Sequence, residues 1–236
     1  LLVNTSVPAN GLAVFRLDPS APPAPVPSGV RTAEYAIANE VGTEVALSPW
    51  RPVLKNDGAA IASVALHLLD DPSDTWSHDI DRYAEGPFEE AAWGIPRVQD
   101  EGPFMASILQ DGMIGKSRLN AEWRVYAGEA WADLILDVLW AERAKVMKLV
   151  LPCGGAAERT DGTPGMALVR PNDGKERPLQ DYTCLGSLGV VCPDVYAVDA
   201  TPERARCTLL RSPYMAHHKP EGYFPGATIA DQGSHR

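Results

Sequence analysis

Apolar and polar positions alternate most cleanly in two neighbouring stretches. In residues 119–127, "LNAEWRVYA", Leu119, Ala121, Trp123 and Val125 alternate with Asn120, Glu122, Arg124 and Tyr126. A period of two predicts a strand with one buried and one wetted face. In residues 132–140, "ADLILDVLW", one face carries Ala132, Leu134, Leu136, Val138 and Trp140, and the other carries Asp133 and Asp137. The intervening "AGEA" supplies a glycine turn, so the pair reads as a hairpin. Residues 131–148 also fit a helix, with Trp131, Leu134, Ile135, Val138 and Leu139 on one stripe and "AERAK" as good helix formers.

Further strands are expected over 33–39, 60–70, 104–111, 146–152, 166–170, 188–200 and 204–211. Proline and glycine punctuate these short runs throughout. The pattern predicts an all-β protein, a sandwich or a barrel, without internal repeats. Residues 1–17 end in a strand-like run, "GLAVFRL", left from a preceding β segment. Residues 18–30 read as a proline-rich linker. Residues 31–236 then form the main domain.

Composition narrows the function classes. The formal charge is −10 over 236 residues, and lysines and arginines are scattered. Nucleic acid and anionic membranes would be repelled, whereas a neutral ligand such as a glycan would not. No apolar run approaches the ~20 residues of a membrane span. The N-terminus lacks a starting Met and a signal-peptide pattern, so the chain reads as a piece of something longer. Cys153, Cys184, Cys192 and Cys207 form no CxxC pair. They read as buried free thiols of a reducing, cytoplasmic compartment, with a Cys184–Cys192 bridge as the alternative.

Candidate chemistry concentrates in "DDPSDTWSHDIDRY", residues 70–83. A calcium loop would need a glycine at its bend, and Trp76 stands there instead. Zinc could use His78 with Asp74 or Asp79, but a fourth ligand is missing. Two readings stay open: a solvated loop, and a sugar-facing loop with an indole face beside hydrogen-bonding carboxylates and imidazole. "AHH", 216–218, reads as surface histidines. Arg211 ends the strand in "LLRSP" and suits either an ion pair or a cleft mouth. No phosphate loop and no GxSxG elbow occur. Glycoside cleavage usually takes two carboxylates, and spacing singles out no pair.

Several segments, taken in order, resemble the C-terminal β region of bacterial glycoside hydrolase family 38 α-mannosidases. They are "DPSDTWSHDIDRY", "DEGPFMASI", the run from "SRLNAEWRVYAGEA" to "KLVLP", "ERPLQDY", "VVCPDVYAVDA", "CTLLRSPYMAHH" and "ADQGSHR". The resemblance implies a large antiparallel β-sandwich of the galactose-mutarotase-like type. It also implies that residues 131–152 are two paired strands turning at "AERAK". It implies a retaining α-mannosidase as parent, with its zinc and its aspartate nucleophile in an N-terminal catalytic domain outside this chain. No cofactor and no catalytic residue is therefore expected here. The expected partners are an α-mannoside glycan and that catalytic domain. Arg211 becomes the first substrate-binding candidate, then Asp74, Trp76 and His78, then Glu176 and Arg177. The rivals are a stand-alone carbohydrate-binding module and a mutarotase-type epimerase using His78 and Glu176.

Overall fold

The structure is a computed structural model and describes residues 7, 9, 11–14, 16, 18, 20, 26–47, 51–78, 80–216 and 232–236. Much of the segment 1–17 and residues 19 and 21–25 of the linker 18–30 lie outside these residues, as do His217 and His218. Among the described residues every regular element is a strand.

The chain begins with a five-stranded meander of β1 (Val30–Ala33), β2 (Ala36–Asn39), β3 (Thr43–Leu47), β4 (Pro52–Asn56) and β5 (Ala59–Ser63). β4 and β5 join through Asp57 and Gly58, both at positive φ (47° and 79°). This is the conformation a two-residue Asp-Gly hairpin turn requires. β6 (Ala65–Asp70) and β7 (Phe88–Glu90) open a second sheet. β8 (Ala92–Trp93), β9 (Arg97–Glu101), β10 (Met105–Ile114), β11 (Ser117–Tyr126) and β12 (Ala132–Trp140) form a third. β13 (Lys145–Pro152) returns to the second sheet. β14 (Glu158–Thr163), β15 (Met166–Pro171), β17 (Tyr182–Leu185) and β18 (Leu188–Val191) make a fourth. Between and after them, β16 (Arg177–Pro178), β19 (Ala197–Ala200) and β20 (Arg204–Arg211) complete the second sheet, and β21 (Gly233–His235) pairs with β12.

The predicted hairpin of β11 and β12 forms, with Trp123 opposite Leu134 and Leu119 opposite Val138. Burial along β11 alternates residue by residue, and Leu119, Ala121, Trp123 and Val125 all lie in the core. The helix over 131–148 does not form.

The all-β class holds, but the sandwich does not. The strands divide among four antiparallel sheets of five, six, six and four strands among the described residues, a four-bladed β-propeller. The physical reason lies in breaks that periodicity does not mark. The run 60–70 is cut at Val64, and its halves, β5 and β6, belong to different sheets. The run 33–39 is broken at Glu34 and Tyr35, the turn of a tight hairpin whose first strand is β1 and whose second is β2. β12 and β13 are not paired with each other. The turn over 141–144 carries the chain from the third sheet to the second, where β13 lies between β6 and β20. Each such crossover ends one sheet and starts or rejoins another, so no two-layer slab is built. One apolar core joins the four, with Ile37, Met147, Ile108 and Leu185 each from a different sheet.

Candidate functional site

The second sheet has two unlike faces. Alternation on β13 sends Met147, Leu149 and Leu151 into the main core and Val146, Lys148 and Val150 to the opposite face. On β20, Ala205 and Cys207 face the core, whereas Arg206 and Thr208 stand opposite Val150 and Lys148. A bulge then inserts Leu209 without a partner, which brings Arg211 opposite Val146 on the face of Lys148. Asp199 of β19 pairs with Arg206 on the same face. The connection from Asp71 to Pro87 covers this polar face, and Ile80 and Tyr83 pack on Leu69 and Val146.

Under that cover lies a buried ionic cluster. Lys148 is wholly buried and donates to Asp199 Oδ2 at 2.7 Å and to Glu176. Its ammonium also sits 4.1 Å from the centroid of the Tyr83 ring. Arg206 donates to Asp199 Oδ1 (2.7 Å) and to the carbonyls of Ala84 (2.8 Å) and Tyr83 (3.1 Å). Thr208 Oγ1 donates to Glu176 Oε1 at 2.6 Å. Burial, reinforced by the Asp71 charge, pushes the Tyr83 hydroxyl far above its ordinary pKa, so the ring stays neutral. Lys148, Arg206 and Arg211 thus face Asp71, Asp199 and Glu176. Balanced charge and full hydrogen bonding are what allow so many ions under one loop.

Residues 71–78 are held by the edge of this cluster. Arg211 grips the buried Asp71 with two bonds, Nε to Oδ2 (2.8 Å) and Nη2 to Oδ1 (3.2 Å). It also donates to Ser77 Oγ (3.0 Å) and the Asp74 carbonyl (3.3 Å). Asp74 is 2% exposed and organises the turn. Its Oδ1 accepts the amides of Trp76 (2.9 Å) and His78 (3.2 Å), and its Oδ2 lies 2.7 Å from His78 Nδ1. Burial opposes ionisation of Asp74, but these bonds, led by the His78 ring, outweigh it and hold its pKa below the usual value. Ser77 takes the left-handed conformation (φ 56°) that closes the turn. Trp76 is 51% exposed and stands edge-on to His78, with ring centroids 5.4 Å apart.

Beside this turn a cleft of about 560 Å³ runs between the 71–85 connection and Gly174. His78 stands on its wall with Ile80, Arg82, Tyr83 and Glu85. Glu85 is ion-paired to Arg204.

Four of the sequence candidates, Arg211, Asp74, Trp76 and His78, therefore meet in one turn. Glu176 belongs to the ionic cluster further along the same face. Arg177 stands apart, in an ion pair with Asp173 at 2.6 Å. The epimerase pairing finds no shared site, because His78 bonds Asp74 while both oxygens of Glu176 serve Lys148 and Thr208. Sequence reasoning missed Lys148, Asp199, Arg206 and Asp71. The available signal was a lone charge inside an apolar strand, as in "VMKLVLP" and "YAVDA".

Among the described residues no group of three or more His, Cys, Asp or Glu side chains is arranged to hold a metal ion. Of the residues weighed for zinc, Asp74 and His78 are bonded to each other and offer two donors, and Asp79 lies outside the described residues. All four cysteines are free. Cys153 and Cys207 are buried, and burial pushes their thiols up to about 11 and about 12, whereas Cys184 is exposed. Among the described residues no helix is long and apolar enough to cross a membrane.

No curated protein matches the chain. Solved structures share its fold, and two of them are glycoside-hydrolase chains. An α-mannosidase from Enterococcus faecalis V583 superposes with a TM-score of 0.69 at 11% identity, over 87% of this chain and 28% of that one. A glycosyl hydrolase family 38 protein from Enterococcus faecalis gives 0.61 at 9% identity, over 95% of this chain and 31% of that one. The chain thus spans under a third of the length of either structure. Residues 56–215, more than half of the chain, match the glycosyl hydrolases family 38 C-terminal domain. The matched segment contains the whole Asp71–Arg211 arrangement, and the chain belongs to that family.

Proposed function

We propose that this chain is the substrate-shaping C-terminal region of a cytoplasmic, retaining α-mannosidase-like enzyme. A separate catalytic domain supplies the nucleophile and the zinc, and the present chain forms one wall of the glycan cleft. The observation that carries this reading is the turn at 71–78. A half-exposed indole and an imidazole are displayed to solvent, while the groups that aim them, Asp71, Asp74 and Arg211, are tied down behind. Such pre-organisation suits a pyranose, whose C–H face packs on an aromatic ring and whose hydroxyls take hydrogen bonds. In this reading Trp76 and His78 touch the sugar. Arg211 and Asp74 are positioning residues, since their polar atoms are already engaged. Glu176 and Arg177 support the wall without touching the ligand.

The chain alone should not turn over an aryl α-mannoside in the presence of zinc, and turnover above background would end the reading. In the longer protein that carries the catalytic domain, Trp76→Ala should raise KM for α-mannosides about tenfold with little change in kcat, the mark of lost uniform binding. An unchanged KM would remove the turn from the glycan site.

A further inference from the structure

The cleft beside the turn has construction of its own. Two of the polar groups on its wall, His78 and Glu85, are backed by buried groups of opposite charge, Asp74 and Arg206. At one end His78 is fixed through Nδ1 by the 2%-exposed Asp74, so its other ring nitrogen is left for a ligand. At the other end Glu85 is paired with Arg204 and lies 4.0 Å from the buried Arg206. Between them Ile80 and Tyr83 give an apolar floor that rests on Leu69 and Val146. Gly174, at positive φ (80°), closes the opposite side, where its amide is tied to the Ala200 carbonyl at 2.7 Å. The wall therefore offers an imidazole, a carboxylate and the Arg82 guanidinium around an apolar patch. Its volume falls within the range of about 300–1,000 Å³ usual for small-molecule sites.

From this we infer a second sugar subsite, which takes a further residue of an oligosaccharide while Trp76 holds its neighbour. A ligand with hydroxyl edges and apolar C–H faces matches the wall. Donors (His78, Arg82) and an acceptor (Glu85) line it, and Arg82 and Arg204 are offset by Asp81 and Glu85, so the wall has no net pull on an anion. His78 is shared between the turn and the cleft, so the two positions adjoin. The inference rests on the sugar-facing reading of the 71–78 turn and adds selectivity for chain length. Glu85, Arg82 and Ile80 become specificity-determining residues.

The test is a titration of the isotopically labelled 236-residue chain, followed by amide resonances, with methyl α-mannoside and a linear α-mannotriose. Mannotriose should shift the amides of Ile80, Arg82, Ala84 and Gly174 as well as those of Trp76 and His78. It should also bind at least tenfold more tightly than the monosaccharide. Ala84→Phe, which fills the cleft from an exposed position, should erase that tenfold advantage and leave monosaccharide binding unchanged. A spectrum otherwise superposable on the parent's would show that this variant is folded. Shifts confined to Trp76 and His78, with equal affinity for both sugars, would overturn the subsite and leave the sugar-facing turn standing. No shift with either sugar would overturn both.

Discussion

Lys148→Met isolates the cluster that supports the candidate site. Methionine keeps the length and apolar stem of lysine but removes the cation between Asp199 and Glu176. Lys148 and Asp199 have side-chain exposures of 0% and 1%, so water cannot replace the lost partner. Deleting one member of a buried ion pair costs about 3–5 kcal/mol, because the remaining charge stays buried and uncompensated. Two features place this site at the lower end. Asp199 keeps Arg206 at 2.7 Å, and Glu176, at 18% side-chain exposure, keeps Thr208 and some solvent. The expected loss is therefore about 3 kcal/mol. Urea unfolding at pH 7, followed by tryptophan fluorescence, should show it as a fall in midpoint of about 1 M for a slope near 3 kcal/mol/M. Glu176→Gln in the Lys148→Met background should recover part of the loss, since it removes one uncompensated carboxylate. A midpoint shift below about 0.3 M, or strict additivity of the two changes, would refute a buried, coupled cluster.

Three further outcomes follow from other parts of the molecule. Arg211→Met should cost about 2 kcal/mol and lower the melting temperature by about 5 °C, and Arg211→Lys should not rescue it, because an ammonium cannot reproduce the two-pronged grip on Asp71; full stability in the lysine variant would count against that geometry. Burial lowers the pKa of His67, which stacks on Phe88 at 3.9 Å, so its contribution to stability is present above pH 6.5 and is lost as the pH falls below it. His67→Phe should flatten the fall in urea midpoint between about pH 7.5 and 5.5, and identical slopes in both proteins would contradict this. Gly162→Ala would bring a Cβ within 2.4 Å of the Gln180 carbonyl oxygen and 2.7 Å of the Tyr182 ring. It should cost about 1–3 kcal/mol, and an unchanged melting temperature would show that the β14–β17 contact yields freely.

Local patterning was legible wherever one face of a strand is dry and the other wet. β11 is the clearest case, because each of its core residues sits two positions from the next. The "LLRSP" and "SDTWSH" segments were also legible as candidates, since their residue types are those of a site. Their mutual arrangement was not. Arg211 looked ready to meet a ligand, but Asp71, 140 positions earlier, occupies its guanidinium. Lys148 stood out only as a lone charge in an apolar strand, and its role was hidden because such a lysine reads as a surface position until Asp199 and Glu176 arrive from other elements to neutralise it.

The alternation of side chains thus sets strand identity and the choice of buried face, because both depend on neighbours two residues apart. Sheet membership needs more. β12 and β13 are separated by four residues and yet belong to different sheets, and a single unpaired Leu209 decides which way Arg211 points. Those outcomes depend on backbone pairing and charge compensation between segments far apart in the chain. Their energies exist only once the sheets have come together, and so the four-bladed architecture and the braced turn with its cleft belong to the tertiary structure alone.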